Sequence, residues 1–383
     1  MMGIKPDWND VKEIIIYGFG RVGHAHIEKI LSEVNVICII DNKADGKADY
    51  KGIPIYTLET CLNRICQSKI VVTASGKGYA SIKASLEQHG YIEKEDFINF
   101  ELFLSNLYWE RYRKIGISKL VFPLTNRCTL NCQKCNSFMP YTEHFFDRKM
   151  EEVIKDIDIA FKYIDELSLL LLVGGEPLLY ASLKELVTYI GENYKNRIGK
   201  VLVITNGTII PDEPLCKNFA RYHVEIRISN YGLSDIYLQK INKLKERLAL
   251  YEVEYTELLE MEWLDIGFPE EKLTMGTAEE ELYQHMMQCE SYCHGICDGK
   301  FYFCTEALMA EWAGLYEIPE DDYIDLNNLD QSHEQKRMQL LEYQFGKMKN
   351  GYFSFCRYCR GLGPSNECVI MAGVQKKWET GQN

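Results

Sequence analysis

The first third of the chain alternates short apolar runs with helix-like polar segments. Apolar residues dominate 12–17 and 34–40, and the segment 24–31 between them has the spacing of a helix. Apolar runs of this length, bounded by turn residues, are typical of buried parallel strands. Further strands are predicted at 53–56, 69–73 and 96–100. The pattern predicts a parallel sheet of the α/β class.

From residue 118 the same alternation repeats with longer elements. The predicted strands are 119–125, 167–173, 200–205, 223–229 and 251–255, and the predicted helices are 150–164, 181–194 and 235–248. Repeated βα units form a parallel sheet, and here we expect a partial barrel. The functional residues of such barrels lie at the C-terminal ends of the strands. Cys128, Glu176, Asn206 and Ser229 all stand there, which predicts one shared site.

A glycine-rich turn follows the first predicted strand. Gly18, Gly20 and Gly23 have the GxGxxG spacing, and Asp41 ends the second strand. Strand, GxGxxG, helix, strand and acid together form a dinucleotide-binding fingerprint. The glycines let a pyrophosphate approach the helix N-terminus, and Asp41 stands where a ribose hydroxyl is bound. We expect a nucleotide or nucleotide-sugar here. The alternative is a Rossmann-like scaffold that keeps its glycines for packing.

Three cysteines cluster immediately after the strand at 119–125. Cys128, Cys132 and Cys135 lie within eight residues, so their thiolates can converge on one metal centre. Three thiolates leave one position of a four-iron cluster without a protein ligand, open to a substrate or cofactor. A zinc site is the alternative, although zinc prefers four ligands in paired spacing.

The CxxxCxxC spacing and the sequence Gly174-Gly175-Glu176-Pro177 after the next strand resemble the radical S-adenosylmethionine (SAM) superfamily. The resemblance covers about residues 118–260 and implies a 4Fe–4S cluster on the three cysteines. By resemblance, the GGEP turn meets the SAM amino group. An ionised Glu176 only accepts hydrogen bonds, which suits that cation.

By the same resemblance, the pairs Thr205-Asn206 and Ser229-Asn230 contact the SAM ribose or carboxylate. The alternative for both pairs is a role in capping their loops. Lys134 departs from the family pattern, because an aromatic residue usually precedes the third cysteine. This departure loosens the expected contact to the adenine and leaves the cluster ligands in place.

A second cysteine set begins near residue 289. The spacing of Cys289, Gly299, Cys304, Cys356 and Cys359 resembles the Twitch module, a half-sized relative of the SPASM domain. The resemblance implies an auxiliary 4Fe–4S cluster on the four cysteines, and a structural zinc site on the same thiolates is the alternative. The unassigned cysteines of this half are Cys216, Cys293, Cys297 and Cys368; any of them could return a hydrogen atom to a substrate, and the last three could replace an auxiliary ligand.

These resemblances complete the predicted fold, which is α/β throughout. We expect a Rossmann-like doubly wound domain over 1–105, a linker helix over 106–117, a partial (β/α)6 radical SAM barrel over 118–285 and a small cysteine-rich Twitch/SPASM-like domain over 286–383.

Composition and charge restrict the location and the partners. The chain has 383 residues and a net charge of −13, all of it carried after residue 114. An acidic catalytic half argues against nucleic acid or an anionic membrane as a partner. Eleven of the 14 cysteines lie at or after Cys128, in groups that fit metal sites in a reducing compartment. No apolar run approaches about 18 residues and the start lacks a signal-peptide pattern, so we expect a cytoplasmic protein.

The resemblance also implies an activity. We expect an enzyme that cleaves SAM reductively to a 5′-deoxyadenosyl radical, with flavodoxin or ferredoxin as the electron donor, and that abstracts a hydrogen atom from its substrate. Oxidation and epimerisation are both open. The Rossmann-like domain predicted over 1–105 favours a sugar, a nucleotide-linked sugar or a cell-envelope precursor as the substrate. A peptide-modifying maturase is the second hypothesis, and a non-catalytic iron–sulfur redox or scaffold protein is the third.

Overall fold

A computed structural model describes residues 8–44, 49–62, 68–74, 76–276, 278–289, 293–328 and 332–376. The chain divides into two compact units, Met1–Ile115 and Gly116–Asn383. None of the described helices combines the length and the apolar character that crossing a bilayer requires. Parts of the predicted C-terminal domain, at 290–292, 329–331 and 377–383, lie outside the described residues.

The first unit alternates strands and helices as the apolar pattern predicts. Its elements are β1 (Glu13–Tyr17), α1 (Arg21–Leu31), β2 (Asn35–Ile40), β3 (Asp49–Tyr50), β4 (Ile53–Tyr56), α2 (Leu58–Cys61), β5 (Lys69–Val72), α3 (Lys77–Gln88), β6 (Phe97–Asn99) and α4 (Phe100–Tyr112). The strand order is β3-β4-β2-β1-β5-β6, and every neighbouring pair is parallel except β3 with β4. The strand order reverses direction at β1, where ligands of open α/β sheets bind.

Strand β1 is buried on both faces, which explains its unbroken apolar run. Ile14 and Ile16 pack on one side with Phe103 and Leu107 of α4. Ile15 and Tyr17 pack on the other side. Alternate residues of a strand face opposite sides, so a central strand between two helical layers needs apolar residues at every position.

Helix α4 differs from the linker helix predicted over 106–117. It begins at Phe100, where the Asn99 side chain accepts the N–H of Glu101 at 2.8 Å. It ends at Tyr112, before Arg113 in the left-handed conformation. Its apolar residues are buried in the core of the first unit, so its role there is packing. Connecting helices exposed on all sides carry no such apolar face.

The second unit begins with repeated βα units. Its elements are β7 (Gly116–Thr125), α5 (Met150–Tyr163), β8 (Glu166–Gly174), α6 (Leu183–Asn193), β9 (Ile198–Thr205), α7 (Glu213–Arg221), β10 (Val224–Asn230), α8 (Asp235–Leu250), β11 (Tyr255–Leu259), β12 (Glu262–Leu264), α9 (Glu279–Gln288), β13 (His294–Cys297), β14 (Lys300–Tyr302), α10 (Thr305–Trp312), β15 (Tyr323–Asp325), α11 (His333–Tyr343) and β16 (Val369–Met371). Strands β7 to β11 pair in parallel in chain order, so their C-terminal ends share one edge.

The strand predicted at 251–255 was placed too early. Helix α8 continues to Leu250, Tyr251 caps it, and Glu252 takes a left-handed conformation with φ of 55°. Strand β11 therefore begins only at Tyr255. The apolar positions around Val253 resemble a strand start but belong to the turn that follows the helix.

The parallel sheet continues into the cysteine-rich segment. Strand β13 pairs in parallel with β7, and β14 and β15 extend the sheet as antiparallel strands. The β13–β14 turn contains Gly299 at φ +73°, where a Cβ would lie 1.9 Å from the Asn327 side chain. Strand β12 pairs separately with β16. The segments predicted as barrel and as C-terminal domain thus share a sheet within one compact unit.

Candidate functional site

A cavity of about 400 Å³ lies at the C-terminal ends of strands β7 to β10, a size within the range of small-molecule sites. Its lining includes the three clustered cysteines (Cys128, Cys132, Cys135), the glycine pair (Gly174, Gly175) and polar residues at strand ends (Thr205, Asn206, Ser229). The predicted convergence of these segments on one site is therefore present in the structure.

The Cys128 thiol receives hydrogen bonds from two directions. The backbone N–H of Leu130 donates to its Sγ over 3.5 Å, and Nδ2 of Asn206 donates over 3.4 Å. Burial, together with the charges of Cys135 and Glu176, raises the pKa of Cys128 to about 12, although the hydrogen bond from Leu130 lowers it. A thiol in this setting becomes a thiolate when a bound cation compensates for the burial.

Cys132 and Cys135 also have N–H donors. Nε2 of Gln375 donates to the Cys132 Sγ over 3.1 Å. Burial raises the pKa of Cys132 to about 11 and also raises the pKa of Cys135, while backbone N–H groups of Met139, Ser137 and Phe138 lower the latter. N–H donors around three convergent sulfurs suit thiolates that bind an iron–sulfur cluster, whose potential such bonds help to set. The donor set therefore fits the cluster that the sequence implies.

The Gly174-Gly175 turn packs directly against the cysteine loop. A Cβ on Gly174 would lie 2.2 Å from the carbonyl oxygen of Thr125, and one on Gly175 would lie 2.2 Å from that of Arg127. The backbone N–H of Gly175 donates to Thr125, and that of Glu176 donates to Arg127, each over 2.8 Å. Only glycine permits this approach, which places backbone atoms on the cavity wall.

The Glu176 carboxylate lies inside the protein, with no exposed surface. Its Oε1 accepts from the Thr205 hydroxyl at 2.8 Å and from the Leu178 N–H at 3.1 Å, and its Oε2 accepts from the Asn206 N–H at 2.8 Å. Burial raises the pKa of Glu176 to about 7. The sequence predicted that this carboxylate meets the SAM amino group. In the structure its hydrogen bonds join the ends of β8 and β9.

The other predicted polar residues have distinct partners. Asn206 donates to Cys128, and its backbone binds Glu176. Ser229 lines the cavity and donates to Glu260 over 3.0 Å. Asn230 donates to Glu257 over 2.7 Å. Of the four polar residues predicted at these strand ends, Thr205, Asn206 and Ser229 line the cavity, whereas Asn230 forms a hydrogen bond to a residue of the neighbouring strand.

The Lys134 side chain forms ion pairs with two carboxylates. Its ammonium pairs with Asp265 at 3.0 Å and with Glu270 at 2.9 Å. The departure from the family pattern thus corresponds to an ionic contact between the cysteine loop and the segment after β12.

The sequence reasoning missed several residues of the cavity. Arg227, Tyr231, Glu260 and Trp263 line it. Arg227 could have been found, because it stands two residues before Ser229 on the same strand face. Gln375 had no signal, because 243 residues separate it from the cysteine whose sulfur it contacts.

The second cysteine set is also brought together. The backbone N–H of Leu362 donates to the Cys289 Sγ over 3.3 Å, and that of Gly361 donates to the Cys359 Sγ over 3.2 Å. Burial raises the pKa of Cys304 and Cys356, and the nearby charge of Cys289 raises both further. Cys289 therefore lies near each of the other three predicted auxiliary ligands, Cys304, Cys356 and Cys359.

The four other cysteines of this unit have different surroundings. Cys216 is buried and contacts the Pro211 carbonyl, Cys293 lines the first cavity, and Cys368 is exposed. Cys297 lies within 4.8 Å of carboxylate oxygens of Asp156 and Asp298.

The Asp156 group is a structural ion pair. Arg148 contacts Asp156 at 2.7 Å and Asp298 at 3.3 Å, so an internal cation already balances the carboxylates. Asp156 also accepts the N–H groups of Asp298 and Gly299 at 3.1 and 2.7 Å. These bonds fix the β13–β14 turn.

In the first unit, backbone conformation or packing requires two of the three fingerprint glycines. Gly18 has φ of +106°, and a Cβ on Gly23 would lie 2.4 Å from the Gly18 carbonyl oxygen. Gly20 has φ of −81° and open space where its Cβ would stand, so neither strain nor packing demands glycine there. Asp41 accepts the N–H of Phe19 at 2.8 Å and that of Lys43 at 2.9 Å. Its carboxylate therefore fixes the glycine turn.

The fold and the site define a class: parallel βα units with clustered cysteines after one strand and a Gly-Gly turn after the next. Residues 122–252 match the model of the Radical SAM superfamily, so this part of the chain is a Radical SAM superfamily domain. An uncharacterised protein of Methanocaldococcus jannaschii, MJ0907, is 31% identical over 122 residues, which are 31% of this chain and 40% of that protein. The match thus spans less than half of the relative.

Solved structures give weaker likenesses. Native anSMEcpe with bound AdoMet is 13% identical, with a TM-score of 0.42, over 65% of this chain and 89% of that one. BtrN in complex with AdoMet and 2-DOIA is 12% identical, with a TM-score of 0.37, over 66% and 98%. Streptococcus suis SuiB bound to its precursor peptide SuiA is 17% identical, with a TM-score of 0.30, over 47% and 44%. These scores are too low to assign a substrate.

Proposed function

We propose that the protein is a radical SAM enzyme that abstracts a hydrogen atom from a small, sugar-type substrate. One observation carries the proposal. The cysteine loop, the Gly174-Gly175 turn and the polar ends of β9 and β10 line the same cavity, within the part of the chain that matches the Radical SAM superfamily.

Each residue of the site has a defined task. Cys128, Cys132 and Cys135 would hold a 4Fe–4S cluster, and their N–H donors stabilise the thiolates. When bound, the cluster and SAM supply a 5′-deoxyadenosyl radical, with an electron from a donor such as flavodoxin or ferredoxin. The glycine pair exposes backbone to the SAM amino group, and Glu176 locks the adjoining strand ends from behind.

The spacing of the sulfurs supports a cluster over zinc. Two sulfurs on one zinc ion, each at about 2.3 Å, are at most about 4.6 Å apart. Among the described residues, neither cysteine set contains three sulfur atoms that all lie within 4.8 Å of one another. Wider spacing suits ligands of different iron atoms in one cluster.

We further propose that the second cysteine set, Cys289, Cys304, Cys356 and Cys359, holds an auxiliary cluster in a Twitch/SPASM-like segment. Cys304 directly precedes helix α10, and Thr305 and Glu306 at the start of that helix line the substrate cavity. An electron acceptor next to the cavity suits a two-electron oxidation of the substrate.

Epimerisation is the second candidate outcome, and the position of Cys293 favours it. Its side chain lines the cavity, where a thiol can return a hydrogen atom to a carbon radical. Running the reaction in D₂O separates the two outcomes, because a solvent-exchanged thiol delivers deuterium to the product. Deuterium that disappears in Cys293→Ala indicates epimerisation, and unlabelled oxidised product indicates the auxiliary-cluster route.

For the first unit we propose a Rossmann-like nucleotide or nucleotide-sugar site. Gly20 supports it, since an open position at a helix N-terminus needs no glycine unless a ligand approaches closely. Asp41 holds the turn in place, so its expected contact with a ribose hydroxyl adds to a structural task. Such a ligand would be the substrate or its carrier.

The test is production of 5′-deoxyadenosine. Protein purified without oxygen should contain about eight irons, from two four-iron clusters. Replacement of Cys128, Cys132 and Cys135 by alanine should remove about half of the iron and all SAM cleavage. The matched control replaces Cys216, whose thiol is buried against the Pro211 carbonyl, and should keep both the iron and SAM cleavage. Continued SAM cleavage by the triple variant would refute the assignment.

A further inference from the structure

The Nε of one arginine on the wall of the cavity has no hydrogen-bond partner. Arg227 stands two residues before Ser229 in β10, so both side chains face the cavity. Its Nε is buried and makes no hydrogen bond. Within the ranges that the structure describes, no carboxylate forms an ion pair with its guanidinium. A buried donor without a partner is costly, and the cost is larger for a charged group.

The acids near this arginine are already engaged. Glu260 accepts from Ser229 at 3.0 Å and from the Trp263 indole at 3.4 Å. Glu225, two residues earlier on β10, pairs with Lys200. The charge of Arg227 acts on Glu225, but among the described residues no carboxylate lies within ion-pair distance of its guanidinium, and a second cation, Lys119, lines the same cavity.

The backbone of Arg227 lies further from the C-terminal strand ends than the polar residues Thr205 and Ser229. Arg227 pairs in register with Ile204, whereas Thr205 and Ser229 occupy the positions nearer the strand ends. Two residues of a strand span about 6.6 Å. A ligand that reaches the level of Arg227 along the strand extends that far beyond Thr205 and Ser229, where SAM binds under the proposed function.

We propose that Arg227 binds an anionic group, a phosphate or a carboxylate, of the substrate. The proposal deepens the proposed function and rests on it, since it assumes that SAM binds at Thr205 and Ser229. A guanidinium presents paired N–H donors that match the oxygens of either group, and it stays charged when buried. The substrate is then a small anionic molecule, such as a sugar phosphate, a nucleotide-linked sugar or a sugar acid. A neutral sugar would leave the arginine without a partner.

Calorimetry on the reconstituted holoenzyme saturated with SAM tests the proposal. Pyrophosphate and succinate serve as probes for the phosphate and carboxylate classes. At least one probe should bind the wild type and bind Arg227→Gln at least tenfold more weakly. Arg227→Lys, which keeps the charge, should recover part of the affinity for that probe. Arg221→Gln is the matched control, because this arginine is exposed at the end of α7. Iron content and circular dichroism establish that each variant folds.

Three results would overturn the proposal. The first is that neither probe binds the wild type. The second is that both probes bind Arg227→Gln as well as they bind the wild type, as they would if they bound at the glycine turn of the first unit. The third is that SAM itself binds Arg227→Gln at least tenfold more weakly, which would assign the arginine to the SAM carboxylate. The proposed function is refuted by a different result, the absence of 5′-deoxyadenosine production by the wild type. A SAM affinity of Arg227→Gln within twofold of the wild-type value shows that the substitution affects anion binding and not SAM binding.

Discussion

Gln375 contacts the cysteine loop from the far end of the chain, and its removal should change the potential of the proposed cluster. Its Nε2 donates to the Cys132 Sγ over 3.1 Å, and its Oε1 accepts the N–H of Asn131 at 2.8 Å. Backbone hydrogen bonds of 2.7 Å from Gln133 to Val374 and from Lys376 to Asn131 flank it. These bonds do not depend on the side chain, so the segment should stay in place in Gln375→Leu.

The expected shift follows from the charge on the sulfur. A hydrogen bond to a charged group contributes about 1.5–3 kcal/mol, and it is stronger to the reduced, more negative cluster. If about 1 kcal/mol of that is specific to the reduced state, the potential falls by about 40 mV on losing the donor, since a tenfold change corresponds to about 59 mV for one electron. Gln375→Glu replaces the donor by a negative charge and should lower the potential further.

Redox titration followed by electron paramagnetic resonance measures this shift, on reconstituted protein without SAM. Iron content verifies that the cluster is present. Gln133→Leu is the control, since that side chain is exposed on the same loop. A potential in Gln375→Leu that equals or exceeds the wild-type value, with iron retained, would show that the hydrogen bond does not tune a cluster.

Further predictions concern the supporting structure. The pKa of Glu176 is about 7 in the folded state against 4.5 for an ordinary glutamate, so its contribution to stability is complete below pH 4.5 and is lost as the pH rises through 7. The free energy of unfolding should fall by about 3 kcal/mol over that range. Denaturant unfolding measures this pH dependence, which should vanish in Glu176→Gln. An unchanged slope would contradict the burial argument. Gly175→Ala should weaken SAM binding in calorimetry with iron kept, because its methyl group collides with the Arg127 carbonyl; wild-type affinity would refute that. Gly23→Ala should lower the melting temperature of the first unit, whereas Gly20→Ala should leave it unchanged and weaken nucleotide binding. Equal shifts of the melting temperature would contradict the different roles of the two glycines.

The sequence predicted what local pattern controls. Strands β7 to β10 and helices α5 and α6 follow apolar spacing, whereas α7 was not predicted. The cysteine loop and the Gly-Gly turn follow from their positions after strands. Contacts between distant segments left no local pattern. The burial of the Glu176 carboxylate, the unpaired Arg227 and the Gln375 contact all depend on how strands align across the sheet. The start of β11 was missed because propensity does not reveal how far α8 extends.

The pairing of β13 with β7 has a consequence for dividing the chain. His294 and Gly295 occupy the outer side of β7 beside Leu120 and Val121, in the strand that leads to the cysteine loop. Cutting the protein at the predicted boundary after residue 285 would remove them and leave a row of unpaired backbone groups on a mostly buried strand. Such an edge recruits strands from other molecules. The barrel segment expressed alone should therefore aggregate, and the cysteine-rich segment acts as the cover that keeps this edge from self-association.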